Sequence, residues 1–565
     1  MDTTAARRSG DDLSPRWWRG AVGYEVYVRS FADHDGDGIG DLPGLRARLG
    51  HLADLGIDVV WLTPVTPSPQ RDHGYDVADY LGIEPAYGDL DDLAGVLDDA
   101  HELGMRVLLD LVPNHTSDQH PWFVDSRSSR DAEHRDFYVW RDPAPDGGPP
   151  NNWVSHFVGP AWSFDEGTGQ YYMHLFLPEQ PDLNWAEPRV RAAFEQILTT
   201  WFERGIDGVR IDVAHALVED PKFRDNPLLA ELPGPQASVF ERFSHVHDLD
   251  QPGVVDIYRD WRRIADAYGA LLLGEVYVLD AAKLQRYLTD DALHAAFAFA
   301  TIEPGWDAAE IRAQLLPYVA TSTDHETSGD HETSGDRETF GDRLAWPLSS
   351  HDAQHAATRF GGGEVGARRA LAYLTLLCGL PGVPFLYQGD ELGLDDGVLP
   401  AGVAEDPIAL RLDGARGRDP ARTPMLWEPG QGYGFTTGTP WLPFGSNHDG
   451  RRSVAAQLGD PTSPLERTRA LLHLRRGLAA LHGPAPTRWL TDDGPVLVVE
   501  RGQEVLVALH VGDGEGPATL VLPETAHLAY ATDLTTVLID GELTLPEDAA
   551  VIVVLDGSIE EEGAA

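Results

Sequence analysis

Eight short apolar runs recur along the chain: GYEVYVRSF (23–31), DVVWLTPV (58–65), RVLLDLVP (106–113), DGVRIDVA (207–214), ALLLGEVY (270–277), HAAFAF (294–299), RLAWPLSS (343–350) and VPFLYQGD (383–390). Between them lie longer patterns with apolar residues three or four apart, as in LPGLRARLGHLADLG (42–56), LDDLAGVLDDAHELG (90–104) and VRAAFEQILTTWFERG (190–205). Each of these closes on glycine, a usual helix stop. Strand–helix alternation repeated eight times predicts an α/β fold, a (β/α)8 TIM barrel.

Three stretches depart from this rhythm. Residues 114–186, between the third strand and its helix, are rich in Trp, Phe, His, Pro and Asn and too long for a structureless loop. They predict an inserted subdomain, whose aromatic rings suit either sugar faces or an ordinary packed core. After residue 486, PVLVVERG, EVLVALHVG, ATLVLP and AVIVVLDG alternate with Gly, Asp and Pro turns and predict a C-terminal antiparallel β-sandwich. The expected division is a barrel over 1–113 and 187–485, an insert over 114–186 and a sandwich over 486–565, with helical text at 464–482 joining the last two. The third departure, HETSGD-HETSGD-RETFGD at 325–342, is polar low-complexity text expected to form a mobile loop.

Composition narrows the function class. The 565 residues carry 91 acidic and 43 basic side chains, a net charge of −48, which argues against nucleic acid and anionic membranes as partners. Lys222 and Lys283 are the only lysines. No stretch reaches the roughly 18 consecutive apolar residues of a membrane helix. The opening MDTTAARRSGDDLSPRWW has no apolar signal region, and Cys378, the single cysteine, excludes an internal disulfide. A cytoplasmic protein is expected, as a monomer or small homo-oligomer, with Cys378 buried in the core.

Barrel active sites gather where strands end on their C-terminal side. There the third run ends in Asp110 and continues to Asn114 and His115, the fourth brings Arg210 and Asp212, the fifth closes on Glu275, and the seventh leads to His351 and Asp352. Carboxyl groups converging from neighbouring strands suit glycoside cleavage, which needs two of them flanking the bond. One must stay protonated and the other ionised; Arg210, two residues before Asp212 on the same strand face, favours ionisation of Asp212.

The segments DLVPNHTS (110–117), GVRIDVAH (208–215), LLLGEVY (271–277) and LSSHD (348–352) resemble, in order and spacing, the four motifs of glycoside hydrolase family 13, the α-amylase family. The resemblance covers about residues 17–560 and extends to its α-glucosidase and oligo-1,6-glucosidase group. It implies Asp212 as nucleophile, Glu275 as general acid/base and Asp352 as the residue that holds the sugar hydroxyls of the distorted ring. It also implies that His115, Arg210 and His351 line the subsite of the reacting glucose. PSPQRDHGYDVADY (67–80) and GRDPARTPMLW (417–427) resemble the segments that hold a terminal glucose, here through Asp72, Tyr75 and Arg418, and QPDLNW (180–185) is typical of the same group. An Asp72–Arg418 pair closing the pocket implies exo-action on small α-glucosides.

The loop DHDGDGIGD (33–41) sets carboxylates at alternate positions, a pattern of hard oxygen ligands suited to Ca²⁺. The matching loop of the family binds calcium, which implies Asp33, Asp35, Asp37 and Asp41 with the Ile39 carbonyl as ligands. Two positions depart from the family pattern: Ser350 stands where Asn is usual, and Val213 accompanies α-1,6 preference in related enzymes although the flanking text resembles maltose-acting ones. A trehalose synthase-type maltose isomerase, or a sucrose-acting member, is the alternative. A non-catalytic transporter-associated homologue would lack the carboxylates that this chain carries.

Overall fold

The computed structural model describes residues 16–230, 238–320, 339–411, 416–512 and 514–555; the HETSGD repeat up to position 338 lies outside them. Each apolar run yields a buried strand: β1 (Gly23–Val26), β2 (Val59–Leu62), β3 (Arg106–Leu111), β4 (Gly208–Ile211), β5 (Leu271–Gly274), β6 (Ala295–Phe297), β7 (Leu344–Pro347) and β8 (Val383–Tyr387). They close into a parallel barrel in the order β1-β8-β7-β6-β5-β4-β3-β2. The first run is a strand only to Val26 and then a turn of helix over Val28–Phe31, where Val28 and Phe31 are buried. Its later apolarity reports burial, not strand pairing.

Three outer helices follow the sequence pattern: α1 (Leu42–Leu55), α2 (Leu90–Glu102) and α3 (Pro188–Glu203). Asp89 and Asp92 form a reciprocal capping box at the start of α2. Gly56 closes α1 at φ 98°, a left-handed conformation that costs glycine little.

Successive strand residues alternate between the helices and the barrel interior. Val60, Leu109, Val209 and Leu272 join the outer core. Val59, Leu108, Leu271, Leu273, Val383 and Phe385 fill the interior with Trp18. One step further along the strands the interior becomes charged: Asp110 pairs in register with Arg210, and Glu25 with Trp61. The apolar plug beneath therefore sets a low-dielectric floor under the site.

The insert carries a three-stranded antiparallel sheet of Trp140–Arg141, Trp162–Asp165 and Gln170–Met173. Its Trp153 and Trp162 pack with Met173 and Leu175 in a local core, against Val213 of the barrel. Most of its aromatic content is packing. Two antiparallel sheets, of five and three strands, end the described chain and enclose Val498, Leu506, Leu543, Val551 and Val553. The helix Gly363–Gly379 backs the larger sheet, and Cys378 within it is fully buried. Among the described residues no helix is long and apolar enough to cross a membrane.

Candidate active site

The site is built on the first residues beyond the strand ends. Asp212 follows β4 and its N–H donates to Leu111 O at 2.8 Å. Glu275 follows β5, and β4 pins it on both sides: Glu275 N–H donates to Ile211 O at 2.9 Å, and Ala214 N–H donates to Glu275 O at 2.8 Å. Arg210 lies beneath both. Its Nη1 donates to Asp212 Oδ1 at 2.7 Å and to Asp110 Oδ1 at 2.8 Å, and its Nη2 reaches Glu275 Oε2 at 2.7 Å. The guanidinium stacks over Trp61, 4.7 Å from the ring centre.

Burial raises the pKa of Asp212 well above its ordinary range; Arg210 opposes this and the Glu275 carboxylate adds to it. Asp110, raised by burial but held by Arg210 and by the Tyr75 hydroxyl at 2.9 Å, reaches about 6.

Val213 sits between the two carboxyls with φ 44°. A β-branched residue in the left-handed region is strained. That conformation points its N–H at Glu275 Oε2, 3.0 Å away.

His351 lies between the rings of Tyr27 and Tyr75, stacked at 5.7 and 5.5 Å. Its Nδ1 meets Glu25 Oε1 at 2.5 Å, and its Nε2 faces the Tyr75 hydroxyl at 2.8 Å and Asp352 Oδ2 at 3.3 Å. Burial raises the Glu25 carboxyl above its ordinary range and lowers the His351 imidazole below its own. His115 is lowered to about 3 by burial and donates from Nε2 to Tyr75 O at 3.1 Å.

Asp352 is 41% exposed and faces open space. Two arginines grip its Oδ1: Arg422 Nη2 at 2.7 Å and Arg418 Nη1 at 3.1 Å. Desolvation would raise its pKa, but His351, Arg418 and Arg422 hold it well below the usual carboxylate range. Arg418 also donates from Nη2 to Asp72 Oδ1 at 2.7 Å. Ser350 Oγ accepts the Asp352 N–H at 3.3 Å, which gives the substituted position a local role.

A cavity of about 170 Å³ opens beside Glu275 and Asp352, with Arg210, His351, Tyr277 and Phe299 in its wall. Asp72, Tyr75, Asp212 and Arg418 are outside that lining and join it through Arg210, His351 and Asp352. The catalytic and sugar-binding candidates of the motifs therefore form one connected network.

Glu25 and Trp61 lie outside the motifs, and Gln180 and Arg422 lie within QPDLNW and GRDPARTPMLW without a role assigned there. Glu25 was detectable as the lone acid in GYEVYV, at an inward alternation position, and Arg422 as the second arginine of GRDPARTP. Gln180 donates to Asp72 Oδ2 at 3.2 Å.

The acidic loop lies apart. Asp33, Asp35 and Asp37 bring one carboxylate oxygen each to within 4.8 Å of one another, a donor set that fits a hard cation. Asp41, expected with them, lies outside that group and caps α1: Oδ1 accepts from Gly44 N at 2.6 Å and Oδ2 from His34 N at 3.0 Å.

The family model of the alpha-amylase catalytic domain matches residues 25–483. The chain is 38% identical over 481 residues to a Rhizobium meliloti (strain 1021) protein named "Probable alpha-glucosidase", covering 82% of this chain and 83% of that one. It is 35% identical over 551 residues to the oligo-1,6-glucosidase of Halalkalibacterium halodurans, covering 91% and 94%. The crystal structure of the alpha-glucosyl transfer enzyme XgtA superposes with a TM-score of 0.85 at 36% identity, over 95% of this chain and 99% of that one. The chain therefore belongs to the α-amylase family of glycoside hydrolases, within its α-glucosidase and oligo-1,6-glucosidase group.

Proposed function

We propose that the protein is a retaining, exo-acting α-glucosidase that releases terminal glucose from short α-glucosides and also transfers it to acceptors other than water. The observation that carries this reading is Arg418, whose guanidinium bridges Asp72 and Asp352. A charged bridge there ends the pocket one sugar beyond the cleaved bond. Asp212 and Glu275 each sit 2.7 Å from a terminal nitrogen of the same Arg210 guanidinium, a closeness that supports the ~5 Å separation of a retaining pair over the roughly 6.5–9.5 Å that accommodates a water.

In this mechanism Glu275 gives its proton to the glycosidic oxygen while the Asp212 carboxylate attacks C1 from the opposite face. The leaving sugar departs as an alcohol and a β-glucosyl ester forms on Asp212. Glu275, now a carboxylate, takes a proton from water or an acceptor hydroxyl, whose oxygen attacks C1 and releases Asp212. Asp352, held by two arginines, receives the sugar hydroxyls with His351 and His115, while Asp72, Tyr75 and Arg418 enclose the far end. Val213 and the likeness to an oligo-1,6-glucosidase support isomaltose beside maltose as substrate. The likeness to an alpha-glucosyl transfer enzyme supports transfer.

Product analysis on maltose, isomaltose, sucrose and trehalose tests the reading. We expect α-glucose as the first product, from the non-reducing end, with transfer products at high substrate. Trehalose or a sucrose isomer formed without proportionate glucose would sink it in favour of an isomerase.

The Asp33–Asp35–Asp37 cluster is proposed to bind Ca²⁺, with the Ile39 carbonyl. Asp33 already ties this loop to Thr436 by a 2.5 Å hydrogen bond, so the ion would fasten two distant loops without entering the chemistry. Removing it with a chelator is expected to lower Tm by about 2 °C, as for an ion held at ~100 times its Kd, with kcat of the folded enzyme unchanged. An unchanged Tm in chelator, across repeated dialysis, would remove calcium from the assignment.

A further inference from the structure

Arg418 does not rest on its pocket partners alone. Asp406, twelve residues earlier, is fully buried and outside the cavity lining. Its Oδ2 accepts from Arg418 Nε at 3.2 Å and from the Arg418 backbone N–H, and its Oδ1 accepts from Nη2 at 3.0 Å. This fork holds one edge of the guanidinium, leaving Nη1 for Asp352 and sharing Nη2 with Asp72. Phe157 of the insert covers a face, 5.2 Å from the guanidinium carbon.

The neighbouring residue reciprocates. Asp419 Oδ2 accepts the N–H groups of Glu405 and Asp406 at 2.8 and 3.1 Å. Asp406 and Asp419, reaching across in opposite directions, thus lock 405–406 to 418–419. Arg418 outweighs burial and keeps the Asp406 carboxyl below its ordinary range.

We propose that Asp406 is the positioning residue of Arg418: it fixes the guanidinium between Asp72 and Asp352 and so keeps the far end of the pocket closed, which selects a free terminal glucose. This rests on the pocket reading above. Without Asp406 the guanidinium keeps only the two carboxylates that also face the sugar, and it can follow them when substrate hydroxyls arrive. A clamp displaced by ~1 Å loses much of its orienting effect.

The test compares Asp406→Ala, Asp406→Asn, Asp406→Glu, Arg418→Ala and the Asp406→Ala/Arg418→Ala double variant, on maltose and maltotetraose, with Tm for each. Asp406→Ala is expected to raise KM for maltose about tenfold, with kcat within about threefold, by loss of charge-assisted hydrogen bonds to Arg418. From maltotetraose, maltose cleaved at an internal bond should appear beside the glucose released from the end. Asp406→Asn preserves the packing if the alanine variant folds poorly, and Asp406→Glu should recover part of the loss. Arg418→Ala should give the same shift, and the double variant should add less than about twofold to it, because both changes remove one interaction. Unchanged KM and an unchanged cleavage position in maltotetraose in both Asp406→Ala and Asp406→Asn overturn the proposal, as do effects that multiply in the double variant. If Arg418→Ala itself leaves the cleavage position in maltotetraose intact, the pocket reading fails; if only the Asp406 variants do, the positioning role alone fails.

Discussion

Asp212→Ala is expected to lower turnover of maltose by on the order of 10⁴-fold or more while the protein stays folded. The loss follows from the proposed first step, in which no other group can form the glucosyl ester. Glu275 is on the same side of Arg210 but is needed as the acid, and Asp110 is 3.0 Å or less from Arg210 with its Oδ2 also bound by Trp61 and Tyr75. Folding should survive because the backbone bond from residue 212 to Leu111 O does not need the side chain. Arg210 also keeps two carboxylates, Asp110 and Glu275, so no buried charge is left unpaired. The shortened side chain leaves space on one face of C1. Azide entering there should restore part of the activity and yield the inverted β-glucosyl azide. Near-normal turnover, or a product of unchanged configuration with azide, would overturn the role of Asp212.

The parts legible in the sequence were those written as periodicity or as short motifs. Eight apolar runs became eight strands because parallel barrel strands are covered on both faces and read as continuous apolar text. The charged groups at their ends were legible for the same reason: Asp110, Arg210, Asp212 and Glu275 interrupt or close text that is otherwise apolar. Glu25 obeys this rule too, but no motif draws attention to it, and its meaning depends on a contact with His351, 326 residues away.

Residue type alone could not separate two uses of the same group. An aspartate in an acidic loop can bind a cation or cap a helix. Asp41 precedes Leu-Pro-Gly and caps α1, and Asp33 of the acidic group likewise accepts backbone N–H groups on both oxygens. The aromatic residues of the insert divide the same way: Trp153 is 1% exposed in the local core, whereas Phe157 reaches Arg418. Val213 is the sharpest case. A β-branched residue predicts extended backbone, yet the turn between Asp212 and Ala214 forces it to φ 44°. Packing of its side chain against the insert fixes that strain and aims its N–H at Glu275.

Glu275→Gln is expected to lower kcat/KM on maltose by about 10³ to 10⁴-fold, the usual contribution of a general acid whose leaving group needs a proton. The amide is nearly isosteric, and its oxygen can still accept the Val213 N–H that now meets Oε2 at 3.0 Å. Its NH2 cannot serve as the acid, and the amide cannot activate water. The two proposed half-reactions should therefore separate by leaving group. α-Glucosyl fluoride departs without a proton, so the first step should remain fast and the glucosyl ester on Asp212 should accumulate, visible by mass spectrometry of the rapidly quenched protein. Azide, needing no general base, should then release it from the Glu275 face and give α-glucosyl azide, opposite in configuration to the product of the Asp212 variant. This pair of stereochemical outcomes distinguishes nucleophile from acid/base independently of any rate, because each variant admits the anion on the face of the carboxylate it disables. Exchange of the two configurations between the variants would reverse the roles of Asp212 and Glu275, and identical configurations would remove the retaining mechanism itself.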